Sequence, residues 1–288
     1  MRPAAPALGP TPGLGEAGDW HALMRRSSFG PGALLLNGRA RADLACFYAY
    51  CRSIDDCADE FAPAEAARHL AAWKAELALL HAGRPSSRLG RSLAELCARR
   101  AIPAGLLDDL WLGAHSDARA TVRHATWQGL RRYCYQVAGS VGMACLPIFG
   151  AELEAASTFA LALGEAFQLI NILRDVREDA ARGRLYFALE DLRAHGLRAG
   201  EFMQGRGGAR AGRLLHAYAW RARHALERAR QEEKALPRKA LGPPALMRAI
   251  YAGLLDSMER DGLKVFEKRY RLGRLRKGLA VARALAWR

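Results

Sequence analysis

Apolar positions along this chain follow helical spacing rather than strict alternation. Ala, Leu, Arg and Glu recur throughout, and β-branched residues are sparse. The pattern predicts helices over 19–26, 39–61, 63–82, 87–100, 104–119, 126–149, 151–180, 210–233 and 243–264, with a short one near 274–286. Breakers separate them. Pro63 and Pro103 fall at plausible helix starts, Gly83 to Ser87 reads as a turn, and Gly205 to Gly212 (GRGGARAG) reads as a flexible loop. Pro237 and Pro243-Pro244 are expected to bound the last connection. No strand–helix alternation is present, and the glycine-rich stretch matches neither phosphate-binding signature, so a Rossmann or P-loop design is excluded. The expectation is an all-α fold.

Composition narrows the class. The chain has 288 residues, of which 51% are hydrophobic, enough for one large helical domain over 19–288 and too apolar for a disordered chain. Residues 1–18, rich in Pro, Gly and Ala, read as a disordered lead-in without signal-peptide character. A formal charge of +15 points to an anionic partner: nucleic acid, a membrane surface or a phosphorylated substrate. Basic residues are spread over many helices without a helix-turn-helix, zinc-finger or RNA-binding pattern, so no nucleic acid is expected. The longest apolar stretches are broken by charge, as Glu165 and Arg174 break the one around 159–175, so no membrane span is expected. Residues 268–288 mix Arg and Lys with Leu, Val and Trp287, which suits either a peripheral membrane contact or a packed helix with a basic face. The six cysteines form no CxxC pair and read as reduced core residues of a cytoplasmic protein.

Candidate chemistry lies in one duplicated feature. Tyr48 to Glu60 reads YAYCRSIDDCADE, and Gln168 to Asp179 reads QLINILRDVRED. Each holds D-x-x-x-D: Asp55 with Asp59, and Asp175 with Asp179. On a helix such residues share a face with Cβ atoms about 6 Å apart, so the carboxylates repel. Apolar neighbours make the repulsion harder for solvent to relieve. Nearby cations, Arg52 and Arg174, offer compensation, and Mg²⁺ is the stronger candidate because hard cations prefer carboxylate oxygens and bridge to phosphates. Gln168 and Asn171 lie on or near the face of Asp175, which makes a polar seam along an otherwise apolar helix. A solvated acidic face, or a buried hydrogen-bond network, would give the same local pattern. A diiron bundle would need Glu-x-x-His, which is absent.

Three blocks, in order, resemble the squalene/phytoene synthase family: YAYCRSIDDCADE at 48–60, YCYQVAGSVG at 133–142, and LGEAFQLINILRDVREDAARGRLY at 163–186. The similarity covers roughly residues 25 to 285. It implies a single-domain isoprenoid synthase helical bundle around a central cavity, with the two aspartate motifs on opposite walls. It also implies a prenyltransferase that joins two prenyl diphosphates head to head and requires Mg²⁺, with Mn²⁺ as a possible substitute and NADPH not expected. By position, Asp55, Asp59, Asp175 and Asp179 are the implied metal-binding carboxylates, with Asn171 beside them and Asp56 as a weaker candidate. Ser28, Arg52, Tyr133, Gln168, Asn171, Arg174, Arg184 and Tyr186 are the implied substrate contacts, and Tyr48 is an implied catalytic proton relay. The small residues Ala138, Gly139, Ser140 and Gly142 suit either close approach of a prenyl chain or tight helix packing. Phe29, Phe47 and Phe167 suit either the cavity wall or the core.

Within the family, Asp261 to Arg276 (DGLKVFEKRYRLGRLR) resembles the C-terminal ending of bacterial presqualene diphosphate synthases of hopanoid pathways, and phytoene or dehydrosqualene synthase is the alternative. Two departures stand out. Tyr186-Phe187-Ala188-Leu189-Glu190 replaces a commoner YLPxE, which alters the flap after the second motif. Pro31 and Gly32 replace an aromatic-rich stretch at the substrate entrance.

Overall fold

The computed structural model describes residues 11–14, 18–25, 27, 29–119, 121–271 and 273. Thirteen α-helices carry the described chain: α1 Trp20–Arg25, α2 Gly30–Ala33, α3 Gly38–Asp59, α4 Pro63–His81, α5 Arg88–Arg100, α6 Gly105–Asp117, α7 Trp127–Cys134, α8 Ser140–Phe149, α9 Leu153–Ala181, α10 Leu189–Ala194, α11 Ala199–Met203, α12 Gly208–Glu232 and α13 Arg238–Arg260. A π-helical turn, Tyr135–Gly139, joins α7 to α8, so the helix expected over 126–149 is one rod with a bulge in it. The only strands among the described residues are β1 Val122–Arg123 and β2 Arg184–Leu185, paired in parallel.

Local chemistry starts the helices where the sequence indicates. Asn37, Ser87 and Thr126 cap α3, α5 and α7, each side-chain oxygen accepting from the backbone N–H three residues on. Pro63 opens α4, where its missing N–H costs nothing.

Two expectations need correction at the C-terminal side. Only the GRG part of the expected loop lies outside a helix, with Gly205 and Gly207 at φ of 69° and 119°. From Gly208 onward the chain is already helical. Likewise, Pro243 and Pro244 do not bound a helix but lie inside α13. They deprive the carbonyls of Lys239 and Ala240 of helical donors. In return they form an apolar wall, and Pro243 packs so near Gly32 of α2 that a Cβ there would sit 3.5 Å away.

Two apolar cores flank a central space. One is built by α1 to α6 with the inner side of α8, and the other by α7 and α9 to α13, with Met143 and Phe149 packed against both. The long α9 runs through the middle. It lies along α12, whose buried Ala222, Ala225 and Ala229 allow a close crossing. By length and hydropathy α9 is the one described helix that could cross a membrane, but most of that stretch is buried inside the protein. All six cysteines are free and buried.

Within the stretch expected as a lead-in, Trp73 donates to Pro12 O at 2.9 Å, and His69 Nδ1 lies 3.1 Å from Thr11 Oγ1. Ser28 and the helix expected near 274–286 lie outside the described residues.

Candidate active site

A cavity of about 600 Å³ opens between the two cores. The helices that line it change character along their length. On α9 the lining residues run Phe159, Leu163, Gly164, Phe167, then Gln168, Asn171, Arg174, Asp175, Glu178 and Asp179. On α3 they run Leu44, Tyr48, Cys51, then Arg52, Asp55 and Asp59. Helical spacing of three and four places each series on one face. The cavity therefore has an apolar body and a polar end, with an aspartate pair on each of two walls.

The polar end is crowded with like charge. Burial and the nearby Asp59 push the Asp55 carboxyl up to about 7. Burial and Asp175 push Asp179 up to about 7 as well. Asp55 is deep within the protein yet has its surface open to the cavity, so solvent there relieves part of this penalty.

Arginines meet some of the charge. Arg184, placed by β2, donates to Asp59 at 2.5 Å and to Ala58 O at 3.0 Å. Arg182 lies 3.5 Å from Asp59. Arg174 forks onto Asp175, and Arg269 donates to the same carboxylate at 2.9 Å. Arg52 turns to Asp56 at 2.6 Å and Glu60 at 3.1 Å. These guanidinium groups are held by the protein's own carboxylates at the polar end of the cavity.

Tyr133 and Tyr186 lie on the same polar wall, both donating to Asp117. Tyr48 lines the cavity beside Phe29, ring centroids 5.6 Å apart, and burial raises its phenol. Every implied metal or substrate residue that the structure describes thus faces one cavity, save the weaker candidate Asp56, which is turned aside onto Arg52. Phe29 and Phe167 face it too, whereas Phe47 is buried in the N-terminal core.

The small residues of the block at 133–142 divide between the cavity wall and helix packing. Ala138 and Gly142 line the cavity. A Cβ on Gly164 of α9 would meet the backbone of Ala138 and Gly139 at 2.8 Å, so the π-helical turn and α9 touch backbone to backbone. The departure at Ala188 also has a local reason: its N–H, which a proline would lack, donates to Tyr218 Oη at 2.8 Å.

Four charged lining residues were not singled out from sequence: Asp117, Glu178, Arg182 and Arg269. Glu178 and Arg182 sit inside the second motif and its extension, and Arg269 inside the C-terminal segment already quoted. Asp117 carries no motif.

Among the described residues no group of three or more His, Cys, Asp or Glu encloses a metal ion by itself. The donor set nevertheless suits a hard divalent cation that shares its shell with phosphate oxygens and water, as Mg²⁺ does. Asp55 and Asp179 are short of counter-charge, and the buried Asn171 Oδ1 has no hydrogen-bond partner.

The squalene/phytoene synthase family model matches residues 25–276. A phytoene synthase of Thermus thermophilus is 36% identical over 282 residues, covering 92% of this chain and 92% of that protein. The chloroplastic phytoene synthase 1 of Zea mays is 33% identical over 257 residues, 87% of this chain, and the chain spans 62% of that plant relative's length. Among solved structures, a dehydrosqualene synthase in complex with ligand matches with a TM-score of 0.83 at 24% identity, over 93% of this chain and 94% of that one. Squalene synthase HpnC from Alicyclobacillus acidocaldarius matches with a TM-score of 0.76 at 27% identity, over 84% of this chain and 92% of that one.

Proposed function

The chain belongs to the squalene/phytoene synthase family, and from that premise we propose that it is a prenyltransferase joining two prenyl diphosphates head to head (1'–1). One observation carries the reading: two aspartate pairs, with arginines among them, share the polar end of a single cavity whose body is apolar. Such a cavity suits a substrate with a diphosphate at one end and a hydrocarbon chain at the other.

Asp55, Asp59, Asn171, Asp175 and Asp179 are the residues that would hold Mg²⁺, whose chemistry there is to neutralise a leaving diphosphate. Arg52, Arg174, Arg184 and Arg269 exchange their carboxylate partners for diphosphate oxygens. The first substrate ionises to an allylic cation. The apolar wall of Phe159, Leu163, Val137 and Met247 excludes water that would quench it. The 2,3 double bond of the second substrate attacks C1 of the cation, and loss of a proton closes a cyclopropane that keeps one diphosphate. The released diphosphate takes the proton, so no strong protein base is needed, with Tyr48 placed as a relay.

For the substrate we favour two farnesyl diphosphates giving presqualene diphosphate. The C-terminal segment that resembles presqualene diphosphate synthases is part of the site, through Arg269 on Asp175. The second reading, phytoene synthesis from geranylgeranyl diphosphate, is favoured by the names of the relatives. Measured release of diphosphate in Asp55→Ala and Asp179→Ala tests the common core: both should fall by roughly 100-fold or more, and wild-type turnover in either would refute the metal assignment.

A further inference from the structure

The two phenols on the polar wall share one acceptor that no motif announces. Tyr133 at the end of α7 donates to Asp117 Oδ2 at 2.7 Å, and Tyr186, just after β2, donates to Oδ1 at 2.9 Å. The rings stack with centroids 5.1 Å apart and planes 22° apart. His124 lies against both, at 5.0 Å and 6.1 Å. Burial pushes this imidazole down to about 4, so it packs there neutral. Burial pushes the Asp117 carboxyl up while the two phenols pull it back, leaving it at about 6 and ionised at neutral pH.

A phenol has one proton to give and an oxygen that also accepts. Tyr133 and Tyr186 also lie within hydrogen-bonding reach of each other, so both protons are committed inside the Asp117 cluster and neither tyrosine has a hydrogen left for a diphosphate. Both tyrosines line the cavity. Each therefore presents oxygen lone pairs, the negative side of its dipole, to whatever the cavity holds. Burial raises both phenols far above neutrality, so they remain uncharged and oriented. Fixed dipoles of this kind favour positive charge that develops beside them and need no reorganisation when it does.

We propose that Asp117 is a positioning residue: it sets the polarity of Tyr133 and Tyr186 so that both oxygens face the allylic cation as acceptors. The proposal rests on the head-to-head condensation reading and assigns a role to a residue outside both aspartate motifs.

Asp117→Asn tests it, because the amide keeps the size but accepts at one end and donates at the other, forcing one phenol to turn its hydrogen away. The full-length variant is assayed with farnesyl and geranylgeranyl diphosphate and Mg²⁺. Loss of one charge-assisted bond predicts a roughly 10- to 100-fold fall in kcat, with KM near the wild-type value. A larger share of substrate should leave as prenyl alcohol, the water-quenched cation. Tyr133→Phe should cost less when combined with Asp117→Asn than in wild type, and Asp117→Glu should recover part of kcat. Wild-type kcat in Asp117→Asn would overturn the proposal. So would additive effects with Tyr133→Phe, or a loss accompanied by a lower melting temperature and an unchanged alcohol share, which would make Asp117 merely structural. Wild-type protein in the same assay separates the two levels. No condensation product from wild type refutes the condensation reading, whereas an active wild type with an unaffected Asp117→Asn refutes this inference alone.

Discussion

Replacing Asp179 by Asn should make the metal-free protein more stable while removing its activity. Asp179 feels the like charge of Asp175, Asp117 and Asp59, and Arg184 donates to Asp59 rather than to it. Its carboxyl is held at about 7 against an ordinary 3.8. At about 1.4 kcal/mol per pKa unit, that difference sets a ceiling of roughly 4 kcal/mol on the cost of ionising it in the folded state. The side chain is partly open to the cavity, so solvent screening reduces the realised cost to about 1–2 kcal/mol. The sign follows from proton linkage. Below pH 4 the carboxyl is protonated in both folded and unfolded chains and no penalty exists. Between about 4 and 7 the folded state binds more protons, so stability falls as pH rises, and above 7 the penalty is complete. Asn carries no ionisable proton and avoids it. Thermal melts without divalent cation should therefore show Asp179→Asn about 2–4 °C more stable than wild type at pH 8, with the gain fading near pH 4. A lower melting temperature at pH 8, or a gain equal at both pH values, would refute the argument.

Other perturbations follow from the same geometry. Gly164→Val places a branched side chain against the backbone of Ala138 and Gly139, which has no flexible end to yield; overpacking should cost about 2–3 kcal/mol, read as a lower denaturant midpoint with unchanged slope. Arg269→Ala removes one of the two guanidinium groups on Asp175 and should raise KM for prenyl diphosphate roughly tenfold, with a smaller change in kcat; an unchanged KM would remove Arg269 from the substrate site.

What could be read from sequence, and what could not, divides along chain distance. The aspartate pairs, Gln168 and Asn171 were legible because helical spacing alone puts them on shared faces, and the motifs then set those faces against each other. Asp117 was not, because a lone acid near the end of an amphipathic helix looks like any solvated residue until Tyr133 and Tyr186 converge on it. Arg269 sits 94 residues from the carboxylate it meets, and only the folded C-terminal segment, pinned by Tyr270 donating to Asp261, shows that contact. Pro243 and Pro244 misled because proline is rare inside helices. Here the lost hydrogen bonds are offset by packing on α2 and along the cavity. The short pair β1–β2 has too few residues for any periodicity to register, yet it is what presents Arg184 to Asp59.

The measurement closest to the central claim is product identification by mass spectrometry after incubating the purified chain with farnesyl diphosphate and, separately, geranylgeranyl diphosphate, with Mg²⁺ and without NADPH. A cyclopropyl C30 diphosphate, presqualene diphosphate, is expected from the farnesyl substrate. Phytoene from the geranylgeranyl substrate instead would keep the head-to-head chemistry and select the second reading. Only prenyl alcohol, or unchanged substrate, in both reactions would contradict head-to-head condensation.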